Sequence, residues 1–73
     1  MAEYRLGNHL KERRTRHGLT QTDLAALIGV SRKTINTVEN SVFVPSTLLA
    51  LQLAKALNCS VEDLFFLGED KRG

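Results

Sequence analysis

Tryptophan is absent from the 73 residues, cysteine and proline occur once each, and aromatic side chains make up only 5%. One cysteine cannot close an internal disulfide, which fits a reducing cytoplasm. Cys59 lies between apolar segments and is expected to be a small buried hydrophobe rather than a redox group. Scarce proline and the lack of low-complexity sequence exclude collagen-like and compositionally disordered chains. No apolar run approaches the roughly 18 residues of a membrane span. The opening MAEYRLGNHL has neither the basic start nor the apolar centre of a signal peptide. The expected location is therefore cytoplasmic, with no membrane partner. Glycine-rich phosphate loops, nucleophile–base sets and metal motifs are all missing. His9 and His17 stand on one predicted helix with no further ligand beside them. The expectation is no enzyme, no metal, no cofactor and no evident small-molecule ligand.

What is present suits one small globular unit, taken as a single domain over 1–73. The content is 42% hydrophobic and 25% charged. A chain this short buries only about 60% of its unfolded surface. Net charge is +2, unevenly spread: residues 1–40 carry seven Lys or Arg against four acids, and residues 41–73 carry three against four. A basic front suits a polyanionic partner, although a charged face is more often simply solvated.

The stretch TQTDLAALIGVSRKTINTVEN, Thr20 to Asn40, organises the chain. It reads as two short helices, about Gln21 to Ile28 and Arg32 to Glu39, joined by a tight turn. Gly29 stands where the backbone needs a positive φ. Thr20, with Asp23 three residues on, predicts a capping box, and Ser31 caps the second helix. Leu24, Ile28, Val30, Ile35 and Val38 supply apolar contacts, and small Ala25 suits a close crossing. The second helix keeps a polar face of Arg32, Lys33, Asn36 and Thr37.

A first helix is expected from about Leu6 to His17, with Leu6 and Leu10 as its apolar stripe and the next inward position near Arg13. Gly18 ends it. After Asn40 comes an irregular NSVFVPS. Ser46 caps a fourth helix, about Thr47 to Leu57, whose core stripe is Leu49, Ala50, Leu53, Ala54 and Leu57. Leu48 and Leu51 fall off that stripe and are either partly buried or part of a subunit contact. Ser60 opens a short fifth helix. Leu64 and Phe65 point inward, and Phe66 and Leu67 prolong the apolar run. Gly68 to Gly73 is expected to be a frayed tail.

Gln21, Ala25, Gly29, Val30, Ile35 and Val38 at this spacing resemble the helix-turn-helix of phage-repressor and Cro-type regulators. The phrase PSTLLALQLAKALNCSVEDLF is similar to the ending of small members of that group, so the resemblance covers Leu10 to Phe65. It implies an all-α, five-helix phage-repressor-like DNA-binding domain with its helix-turn-helix at 20–40 and a dimerisation part at about 47–67. Tyr4 to Leu6 and Phe66 to Leu67 are candidates for a short two-stranded sheet. The implied partner is a double-stranded, near-palindromic DNA operator. A homodimer would bind it with half-sites about one helical turn, ~34 Å, apart and act as a repressor.

Arg32, Lys33, Asn36 and Thr37 are then the candidates for base contact, with Arg32 and Lys33 open between base and phosphate. Arg14, Arg16, Gln21, Ser31, Thr34 and Asn40 are the candidates for phosphate, with a plainly solvated surface as the alternative for Arg14 and Arg16. Leu48, Leu51, Phe66 and Leu67 are the candidates for the dimer interface. Two positions depart from the group's pattern: Ser41 replaces a glycine, so Asn40 is expected to take the left-handed conformation, and Val42 replaces a basic residue. The competing readings are an antitoxin-like DNA-binding partner of a small toxin, and a helical protein-interaction module.

Overall fold

The structure, a computed structural model, describes residues 4–69. Its elements run β1 (Tyr4–Asn8), α1 (Leu10–Arg16), α2 (Gln21–Ile28), α3 (Arg32–Glu39), α4 (Thr47–Ala56), α5 (Val61–Leu64) and β2 (Phe65–Glu69). Among the described residues the fold is thus five helices with a two-stranded sheet made from β1 and β2. The strands are antiparallel, with Tyr4 opposite Glu69, Leu6 opposite Leu67 and Asn8 opposite Phe65. Among the described residues no helix is long and apolar enough to cross a membrane.

Local chemistry sets the helix boundaries. Thr20 Oγ1 accepts from the Asp23 N–H at 3.0 Å, and Asp23 returns the bond to the Thr20 N–H at 2.9 Å. Ser60 and Asp63 repeat this capping box at α5. Ser31 and Ser46 accept from the third helical N–H of α3 and α4. Each cap satisfies a donor that the helix cannot pair internally. Gly29 closes α2 at φ +74°, where a Cβ would strain the backbone.

Leu10, Leu24, Ile35, Leu53, Leu57, Leu64 and Val38 are fully buried and form one core. Ala25, Leu49, Ala54 and Phe65 complete it, and Ile28, Val30 and Ala50 pack on its rim. Ile35 and Val38 fasten α3 to the body. Burying each contributes about 1.5–3 kcal/mol.

The first helix starts at Leu10 rather than Leu6. Asn8 Oδ1 accepts from the Leu10 N–H at 3.1 Å, and its Nδ2 donates to the Val38 carbonyl at 3.0 Å. The His9 N–H donates to the Leu64 carbonyl at 2.8 Å. These bonds hold the segment before Leu10 extended, so Leu6 packs from a strand. The helical register must be counted from Leu10, and the inward position one turn on is Arg14, not Arg13. Arg13 is half-buried and lies 3.9 Å from Asp63. The left-handed residue after α3 is Ser41 itself, at φ 59°, while Asn40 stays at φ −88°. The sheet is longer than expected, and on its inner face Phe65 belongs to the core and Leu6 packs against it, while Leu67 stays exposed.

Candidate nucleic-acid interface

Helix α3 divides along its length. Ile35 and Val38 face the core, while Arg32 and Lys33 are exposed at its N-terminal end. Asn36 and Thr37 are half-buried one turn further on. The polar face of α3 is therefore not walled off by the protein's own packing. Ser31 Oγ lies 3.0 Å from Thr34 Oγ1 beside the α3 N-cap. Thr37 Oγ1 donates to the Thr34 carbonyl at 3.0 Å, and Asn40 Nδ2 donates to the Asn36 carbonyl at 2.9 Å. These bonds fix the side chains to their own helix. Arg16 is exposed at the end of α1.

Arg14 has a different place from the one expected. It is 8% exposed. Its Nε and NH2 donate to Glu39 Oε2 and Oε1 at 2.6 and 3.2 Å, and its NH1 donates to the Leu19 carbonyl at 2.8 Å. Its donors are turned inward, so it serves the fold and is withdrawn from the phosphate set. Glu39, with a side chain only 4% exposed, is its partner and had not been singled out. Two clues for the pair lie in the sequence. Arg14 sits one turn after buried Leu10, and Glu39 sits one turn after buried Ile35. Opposite charges at two inward positions imply each other, because a lone buried charge is costly.

Gln21 joins this pair to the exposed face. Its Nε2 donates to Glu39 Oε1 at 3.0 Å, and its Oε1 accepts from Arg32 NH1 at 3.2 Å. A continuous chain of bonds thus runs from α1 through α3 and α2 back to the outer tip of α3.

The four candidate interface residues are exposed: Leu48 by 67%, Leu51 by 55%, Phe66 by 43% and Leu67 by 70%. They do not share one surface. Strand side chains alternate between faces. Leu67, opposite Leu6, lies on the sheet's inner face, while Phe66 lies on the outer one. There its ring covers Gly7 and stacks on His9 with centroids 4.7 Å apart. Leu51 lines a shallow apolar groove of about 450 Å³ with Leu6, Val44, Pro45, Ala50 and Val61. Cys59 is half-buried against the core, and burial pushes its thiol pKa up. Among the described residues no cluster of His, Cys, Asp or Glu could hold a metal ion.

A helix-turn-helix family model matches residues 10–64. The chain is 43% identical over 63 residues to YgzD, an uncharacterised HTH-type transcriptional regulator of Bacillus subtilis; the match covers 86% of this chain and 96% of that one. It is 44% identical over 64 residues to an uncharacterised HTH-type transcriptional regulator of Methanocaldococcus jannaschii, covering 88% and 97%. The structure also matches the crystal structure of the restriction-modification controller protein C.AhdI of Aeromonas hydrophila. There the TM-score is 0.70 at 37% identity, covering 74% of this chain and 82% of the other. The outward polar face of α3, the capped turn before it and these matches agree: the chain belongs to the helix-turn-helix family of DNA-binding transcriptional regulators, which are not enzymes.

Proposed function

We propose that the protein is a dimeric, cytoplasmic transcriptional repressor that lays α3 in the major groove of a near-palindromic operator. The exposed pair Arg32 and Lys33 at the start of α3 carries this reading. They stand where a groove-inserted helix presents side chains to base edges, while Ile35 and Val38 anchor its other face. Asn36 and Thr37 follow as base contacts. Arg16, Gln21, Ser31, Thr34 and Asn40 ring the helix as phosphate contacts. One helix of this length reads few base pairs, so a two-fold pair of them is the economical route to specificity.

For the dimer, the groove at Leu51 and the overhanging inner face of the sheet at Leu67 form the apolar surface, with Leu48 beside them on α4. Phe66, turned to the outer face and stacked on His9, supports the sheet rather than the contact. Selection from random duplexes with the purified protein should enrich an inverted repeat with half-sites ~34 Å apart. Arg32→Ala should then lose ~1–3 kcal/mol on that operator and relax one base position. A protein that ignores every duplex at low salt would refute the reading. An enriched site without two-fold symmetry would refute the dimer.

A further inference from the structure

We propose that Thr37 reads the C5-methyl group of a thymine, through its own methyl and not through its hydroxyl. This deepens, and rests on, the reading of α3 as the helix that enters the major groove. Ile35 and Val38 turn inward, and Thr37 stands one turn after exposed Lys33, on the row that faces away from the core. A threonine hydroxyl has one proton to give. Here Oγ1 gives it to the Thr34 carbonyl at 3.0 Å, within the same helix. It therefore has no donor left for guanine O6, thymine O4 or a purine N7. The group of this side chain that has no partner in the helix is the Cγ2 methyl. On the major-groove edge of DNA the apolar feature is the C5-methyl of thymine.

The end of α3 suits an apolar contact. The Ser41 N–H donates to the Val38 carbonyl at 3.1 Å and the Val42 N–H to the Thr37 carbonyl at 2.9 Å, with Ser41 at φ 59°. This paired ending commonly sets an apolar side chain beside the last helical turn. The residue so placed is Val42, which is 78% exposed. No cation follows Lys33 on α3 or in the turn up to Pro45, so this end of the helix has nothing to grip a guanine. A methyl-to-methyl contact has a further consequence. It does not distinguish thymine from 5-methylcytosine, so binding responds to cytosine methylation at the base pair that Thr37 meets.

The test uses the operator chosen by random-site selection, with each thymine replaced in turn by deoxyuridine, which removes the methyl and keeps the pairing. Thr37→Ser keeps the hydroxyl and removes the methyl. Thr37→Val keeps the methyl and removes the hydroxyl. Thermal melts followed by circular dichroism check that both variants are folded. Wild type and Thr37→Val should each lose about fourfold in affinity at one uridine position, the scale of one buried methyl group. Thr37→Ser should bind the thymine and uridine duplexes equally at that position. With cytosine there instead, 5-methylation should restore about fourfold to the wild type and nothing to Thr37→Ser.

A protein indifferent to uridine at every position would overturn the proposal. So would a uridine loss that persists in Thr37→Ser, since another residue then reads that methyl. Discrimination kept by Thr37→Ser and lost by Thr37→Val would assign the reading to the hydroxyl, and an equal loss by both variants on all duplexes would make Thr37 a phosphate contact; either result overturns it. If the wild-type protein binds no duplex, the reading of α3 itself fails, and that is seen before any variant is made.

Discussion

Replacing Arg14 by methionine tests how α3 is held. Methionine fills much of the same space without charge. It leaves the Glu39 carboxylate, whose side chain is 4% exposed, with only the Gln21 amide as a side-chain partner. It also removes the NH1 bond to the Leu19 carbonyl. Removing one member of a buried pair costs about 3–5 kcal/mol, because the remaining charge is uncompensated. A chain of 73 residues has a total stability of about 4–11 kcal/mol at ordinary values per residue. Arg14→Met should therefore remove between about a quarter and all of the stability.

Arg14→Met combined with Glu39→Leu removes both charges. Replacing such a pair by apolar groups is often neutral or favourable by 1–4 kcal/mol. Here the unpaired Leu19 carbonyl opposes that gain by about 1–3 kcal/mol. The double variant should lie near the wild type and well above Arg14→Met. Urea unfolding followed by circular dichroism, with midpoint and slope fitted separately, measures all three. A single variant that loses under 1 kcal/mol, or a double variant less stable than the single, would show that the pair is not the brace described here.

Gly29→Ala should lose about 1–2 kcal/mol in the same assay from left-handed strain alone, since nothing lies within 4 Å of the new Cβ. Ser41→Gly should gain up to ~1 kcal/mol by relieving φ 59°, while Asn58→Gly should change less, because asparagine tolerates that region. The carboxyls of Asp23 and Asp63 are held below their ordinary 3.8, first by the backbone N–H of Thr20 and of Ser60. A lowered folded-state pKa favours the fold above the unfolded value, and that benefit disappears as pH falls through the folded one. Melting temperature should thus drop below about pH 4, and Asp23→Asn with Asp63→Asn should flatten that drop. Sedimentation should show Leu51→Asp shifting the protein toward monomer while Phe66→Asp stays associated; the reverse pattern would move the interface to the outer face of the sheet.

The helices at the centre of the chain were legible because their signals are local. Thr20 with Asp23, Gly29 and Ser31 each act within one turn, and the spacing of Ile35 and Val38 fixes which side of α3 faces in. The start of α1 was not legible for the opposite reason. Leu6 and Leu10 have helical spacing, and nothing nearby in sequence says that Leu6 will find Leu67, 61 positions later, across a strand pair. That error displaced the register and put Arg13 where Arg14 belongs. It also hid Glu39, whose burial makes sense only once Arg14 is seen to point inward. Ser41 was missed on a finer scale. Asparagine is the better left-handed residue in isolation, but Asn40 bonds back to the Asn36 carbonyl and continues the helical turn, which hands the reversal to the next residue.

Site and scaffold are difficult to separate in this chain. Arg32 and Lys33 reach outward from a helix of eight residues, too short to hold its place by its own hydrogen bonds. Ile35 and Val38 bury one side of it, but apolar contact is non-directional and leaves rotation about the helix axis weakly defined. The Arg14 to Glu39 bonds are directional. They join the last turn of α3 to α1, and Gln21 carries the constraint to the first turn. A change that weakens Glu39 should therefore disturb base reading at Arg32 before it unfolds the protein. Its earliest sign would be lost discrimination at one base pair in a variant whose circular dichroism is still that of the wild type.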